Sequence, residues 1–105
     1  MAWLYLLIAG VFEIGWPLGF KLSQASPKPW LWIALAACSM ALSGFFLWMA
    51  QKGIPIGTAY AVWTGVGAVG TFVLGLIAFG DSILFGRCLG AFFIISGVII
   101  MKLYS

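Results

Sequence analysis

The chain has no histidine, and only two of its 105 residues are acidic, Glu13 and Asp81. Acid–base chemistry therefore has almost no place to reside. No nucleophile–base pair or metal-ligand set can be assembled from what remains, so neither an enzyme nor a cofactor is expected. Charged residues make up only 7% of the chain, and the long polar stretches of a soluble domain are missing. The net charge of +3 comes from five Lys and Arg residues scattered singly, unlike the clustered basic face that nucleic acid requires. Cys38 and Cys88 lie in or beside apolar runs, without metal-ligand spacing. They read as small buried hydrophobes rather than a disulfide or zinc site. The N-terminus lacks a positive leading region and a small-residue cleavage site, so its apolar stretch is expected to stay as a helix.

What is present is apolar: 65% of the residues, with a mean hydropathy of +1.20. Four segments approach the ~20 residues that a helix needs to cross ~30 Å of hydrocarbon. They are predicted at about 2–20, 30–50, 56–79 and 84–103. The breaks are the polar, proline-bearing stretch 22–29, the turn Gln51-Lys52-Gly53, and Gly80-Asp81-Ser82. All four segments are apolar around most of their circumference, as lipid-embedded helices are. The expected fold is an all-α membrane protein with one four-helix transmembrane domain over 1–105. With no extramembrane domain expected, its work belongs in the lipid bilayer.

Glu13 stands near the middle of the first span. A carboxylate at that depth costs ~2.5–3.5 kcal/mol on insertion scales, so it faces protein or a wet cavity and serves a purpose. The blander reading, a protonated filler, is disfavoured because Gln or Leu fills the same space at lower cost. Trp16 follows by three residues and projects to the same side. Pro17 follows by four; it has no amide hydrogen for the Glu13 carbonyl, and its ring crowds that group. A helix bend beside the carboxylate is expected. In the second span Ser39 and Ser43 are four apart, and in the third Tyr60, Trp63 and Gly67 form a stripe with Thr64 adjacent. Aromatic stripes usually serve packing, and an interfacial belt is the competing reading for Tyr60 and Trp63. Asp81 reads as a solvated loop charge.

Loop charges leave the orientation nearly undetermined. Lys52 and Lys102 fall on one side, and Lys21, Lys28 and Arg87 on the other. So little asymmetry gives the positive-inside rule a weak instruction. A chain of this kind can insert both ways and pair with an inverted copy, giving the inverted-repeat layout of many transporters from one short sequence. Four helices also make a thin wall for a pathway. Gly90 and Gly97, seven apart on the fourth span, nominate it as the dimer contact.

Gly65, Gly67 and Gly70 match the dinucleotide pattern G-x-G-x-x-G. They lie inside an apolar span, with no preceding strand and no acidic ribose partner, so nucleotide binding is rejected. Here they permit close helix packing and cheap bending.

The stretch Lys52-Gly-Ile-Pro-Ile-Gly-Thr-Ala-Tyr-Ala-Val-Trp-Thr-Gly-Val-Gly-Ala-Val-Gly70 resembles the signature of the small multidrug resistance family. Glu13 and Trp16 followed by Lys21 are similar to that family's first helix. Trp16 and Thr64, the latter in Trp-Thr-Gly, resemble its guanidinium-exporter subgroup. The resemblance implies an antiparallel, dual-topology homodimer in the bacterial inner (plasma) membrane that exports a cation in exchange for protons. It places the central acid on Glu13 and the supporting pocket on Trp16, Ser43, Tyr60 and Trp63. Ser43 is carried over by its distance to the 52–70 block, because the first loop is one residue longer here. Pro17, Gly19 and the Ser26-Pro27-Lys28-Pro29 loop depart from the family pattern and bear on the pocket's shape.

The chemistry agrees. A guanidinium is planar, with paired N–H donors that match the two oxygens of a carboxylate. Protons and such a small cation would compete for Glu13, and that competition couples their fluxes. Ser43 and Trp63 are expected to donate hydrogen bonds that hold Glu13. Tyr60 is expected to line or gate the route, and Trp16 to offer an aromatic face to the cation. Two other readings stand beside this one. Export of quaternary ammonium or multidrug cations is separated by whether the substrate needs N–H donors. A small dual-topology channel or an accessory subunit of a hetero-oligomer is separated by transport from this chain alone.

Overall fold

The computed structural model describes residues 1–104, and its architecture is four α-helices. They are α1 (Ala2–Ala25), α2 (Pro29–Ala50), α3 (Ile56–Ala78) and α4 (Phe85–Leu103). Each is long and apolar enough to cross a membrane. At a rise of 1.5 Å per residue, α1 extends about 36 Å and α4 about 28 Å.

Proline sets several of the boundaries. α1 runs five residues past the expected Phe20, through Leu22 and Ser23 to Ala25. Nothing in that polar stretch breaks a helix until Ser26, which is extended (φ −103°, ψ 145°) because it precedes Pro27. Pro29 occupies the first turn of α2, where its missing N–H is no loss. Pro55 immediately precedes α3. Pro17 sits inside α1, and the helix continues through it without interruption.

The helices form a plate with principal extents of 46 × 34 × 16 Å. Its thin dimension little exceeds the ~10–12 Å diameter of one helix. α1 packs most extensively on α2 and also on α3, whereas α4 runs along α3 and reaches α1 only through side chains at one end. The core gathers Leu6, Ala50, Ile54, Ala59 and Val62 at one end of the plate. At that same end Lys52 lies 4.4 Å from the Trp48 ring and Lys102 lies 4.6 Å from the Trp3 ring. Such Trp and Lys pairs suit the headgroup level of a bilayer. Large apolar side chains including Leu7, Val11, Phe45, Ile77 and Phe92 point outward, the inverse of a soluble protein. Cys38 is exposed on α2 and Cys88 is half-buried, so Cys38 is not the buried residue that its apolar neighbours suggested.

Close approach between helices is made through glycine. A Cβ on Gly10 would come within 2.6 Å of Val66, and one on Gly15 within 2.6 Å of the Ser39 hydroxyl. Gly70 abuts Ile14 with no room for a side chain. α4 is different: a Cβ on Gly90 or Gly97 would meet nothing within 4 Å, and among the described residues α4 contributes none that is buried.

Candidate functional site

Glu13 falls midway along the 24-residue α1, about 17 Å from either end at the helical rise. Its side chain projects toward α3, and the facing position there is Gly67. A Cβ at Gly67 would stand 2.5 Å from Glu13 Cγ and 3.1 Å from its Cβ. The glycine is therefore the seat of the acid. Any larger residue would drive the carboxylate from its place, because a close-packed interior transmits such overlap rather than absorbing it.

One carboxylate oxygen, Oε1, accepts a hydrogen bond of 2.7 Å from the Trp16 indole Nε1–H. The i, i+3 spacing brings the two together on one helix face. The indole is braced edge-on by Phe20, with ring centroids 5.6 Å apart. No hydrogen bond to the second oxygen is found among the described residues, and it is not sealed in the interior. Both residues line an open cleft of about 290 Å³ with Pro17, Thr64, Gly67 and Thr71. Thr64 and Thr71 are seven apart on α3, and therefore on one face of it. They add hydroxyl oxygens to a cleft whose only charge is the Glu13 carboxylate.

A second polar unit lies beside the first. Trp63 Nε1–H donates to Ser43 Oγ at 2.8 Å, and Ser43 Oγ–H donates to the Ala9 carbonyl at 2.7 Å. These bonds link α3, α2 and α1, with Ser43 fully buried. The expectation that Ser43 and Trp63 donate directly to Glu13 is thus corrected. In a regular helix the Ala9 carbonyl also accepts the Glu13 amide, four residues on. A carbonyl has two lone pairs for two donors. Ser43 therefore anchors the backbone that carries Glu13, not its carboxylate. Tyr60 meets Trp63 with ring centroids 5.5 Å apart and ring planes tilted by 50°, and it is 58% exposed.

Of the residues singled out in the sequence, the structure gathers Glu13, Trp16, Pro17 and Gly67 at the cleft. It sets Ser43, Trp63 and Tyr60 in the adjoining unit. Gly65 packs elsewhere, against Val98 and Ile94 of α4. Thr71 went unnoticed in the sequence. Its signal was a second hydroxyl seven residues after Thr64, in a helix otherwise poor in polar groups.

Comparison with known proteins agrees with this architecture. The family profile described as Small Multidrug Resistance protein matches residues 1–103. A protein of Yersinia pseudotuberculosis serotype I (strain IP32953) named "Guanidinium exporter" is 45% identical over 105 residues, covering 100% of both chains. One of the same name from Proteus vulgaris is 42% identical, again over 100% of both. Another, from Citrobacter freundii, is 38% identical over 98% of this chain and 97% of its own. Four spans and bacterial exporter relatives make this a multi-pass transport protein of the bacterial inner membrane. The chain belongs to the small multidrug resistance family.

Proposed function

We propose that the protein exports guanidinium or small guanidinyl cations in exchange for protons, with both competing for Glu13. The observation that carries this reading is the half-occupied carboxylate: one oxygen held by Trp16, the other open to a small cleft. A guanidinium offers two parallel N–H donors to such a group. Binding it means displacing either a proton or the Trp16 indole from the acid. Thr64 and Thr71 supply further acceptors for the remaining N–H groups, and the Trp16 ring supplies a π-face. These acceptors favour a substrate with N–H donors over a fully alkylated ammonium.

The working unit in this reading is an antiparallel homodimer. A plate 16 Å thick cannot enclose a pathway alone, and on α4 the space beside Gly90 and Gly97 is open to a second helix. Two subunits oppose two Glu13 carboxylates. One cation displacing both protons moves net charge in each cycle, and alternating access presents the pair to one side at a time. Pro17 and the glycines of α3 ease the rearrangement.

The test is transport current and proton flux from purified protein in liposomes on adding guanidinium. Wild type is expected to give current matched by opposite proton movement, with guanidinium affinity falling as protons are added. Glu13→Gln is expected to give none while keeping its helical content. Coupled transport by that variant sinks the scheme. Current with tetramethylammonium and none with guanidinium moves the protein to quaternary ammonium export.

A further inference from the structure

A second cavity, of about 250 Å³, adjoins the Glu13 cleft, and Pro17 and Thr71 line both. It follows the same seam between α1 and α3 outward to Lys21, Gly75 and Asp81. Lys21 lies eight residues beyond Glu13, about 12 Å along the helix axis. The seam thus runs from the membrane centre to the end of the plate formed by the α1–α2 and α3–α4 connections.

Asp81 is exposed, as expected of a loop charge, but its position is fixed by the fold. After α3 the chain reverses at Gly80, whose φ of +64° is the left-handed conformation that glycine adopts without strain. The Asp81 amide then bonds back to the Gly75 carbonyl at 3.1 Å. Its carboxylate lies directly over Gly75, where a side chain on that residue would collide with Oδ2. Two glycines lay this acid against the end of α3, at the open rim of the cavity.

That placement is locally unfavourable. A helix C-terminus carries about half a negative charge, and an anion beside it is disfavoured. Nor is the charge neutralised by contact. Lys21 shares the cavity without an ion pair to Asp81, and the Arg87 guanidinium turns to the Ser82 carbonyl at 3.3 Å. The mouth of the seam therefore combines the last carbonyls of α3 with an unpaired carboxylate, the field that attracts a cation.

We propose that Asp81 is an outer binding station for the small N–H-bearing cation, which docks there before passing Thr71 to Glu13, with Lys21 as its competitor. The station rests on the reading of Glu13 as the transport site. It accelerates capture rather than transfer, so its effect lies in kcat/KM and in salt dependence.

The experiment measures guanidinium transport in liposomes at low and high ionic strength for Asp81→Asn, Asp81→Glu, Lys21→Gln and the double variant. At low salt, Asp81→Asn is expected to lower kcat/KM roughly 3–10-fold, with most turnover at saturating substrate kept and the salt dependence flattened. Asp81→Glu restores capture. Lys21→Gln raises kcat/KM at low salt, and the gain vanishes in the double variant because Lys21 acts through Asp81. An unaltered kcat/KM in Asp81→Asn, alongside transport blocked by Glu13→Gln, overturns the station alone. Equal loss of kcat and kcat/KM that Asp81→Glu does not rescue assigns Asp81 to folding and also overturns it. Transport surviving Glu13→Gln removes the Glu13 reading and the station with it.

Discussion

The two polar units of this chain sit side by side in an apolar plate, yet one is closed and the other open. In the closed unit Trp63, Ser43 and the Ala9 carbonyl satisfy one another, with Ser43 fully buried. In the open one Glu13 has, among the described residues, a single donor, Trp16, and its second oxygen is left to the cleft. A buried hydrogen bond that is fully made stabilises the fold by about 0.5–1.5 kcal/mol. A carboxylate left half-made in the membrane contributes nothing of that kind, and in the proposed scheme it is kept for what it can bind. The glycines divide in the same way. Those of α3 at positions 65, 67 and 70 are filled by neighbouring side chains, whereas those of α4 at 90 and 97 face open space.

The sharpest way to break the comparison is Glu13→Gln. It should remove coupled transport, a loss of at least about 100-fold given that the only central titratable group is gone, while circular dichroism stays unchanged. Gly67→Ala comes next, because its methyl would stand 2.5 Å from Glu13 Cγ. Overpacking of this kind costs about 1–3 kcal/mol, and guanidinium affinity measured by calorimetry should fall roughly tenfold or more. Gly97→Ala is the control: it meets nothing within its own subunit. It should leave subunit helicity intact and shift the monomer–dimer balance in detergent, if α4 is the dimer face.

Ser43→Ala attacks the closed unit instead. It leaves the Trp63 indole without an acceptor, a loss of about 1–3 kcal/mol. A lower melting temperature is expected, with less damage to transport than Glu13→Gln causes. The smallest effect belongs to Trp16→Phe, which keeps the ring but deletes the bond to Glu13. A bond to a carboxylate is worth about 1.5–3 kcal/mol, but at this open cleft water or the bound cation takes the indole's place, so guanidinium affinity should change by a few-fold with little change in melting. A large melting shift for Trp16→Phe and none for Ser43→Ala would reverse the assignment of the two units.

Much of this was legible before any coordinates. Four apolar runs punctuated by Gly, Pro and charge admit only membrane helices, since backbone groups in hydrocarbon must be satisfied within each segment. The isolation of Glu13 in such a run singles it out as the candidate site whatever the fold. Helix ends were less legible, as α1 shows: Leu22 to Ala25 continue the helix because propensity changes little there and only Pro27 forbids it. Partners were illegible. Sequence spacing places Trp16 beside Glu13 because both belong to one helix. It does not say that Ser43 reaches Ala9, 34 positions away, instead of the acid.

The sequence by itself determined the class of the protein, the number of spans and the identity of its central acid, because periodicity, length and the cost of a charge in lipid are local quantities. Only the tertiary structure decided that Gly67 seats Glu13, that Ser43 and Trp63 tie the backbone and not the carboxylate, and that Asp81 folds back over Gly75 into the seam. Those outcomes depend on how closely two helices approach and at what register. That is a property of packed pairs of segments, and no single segment carries it.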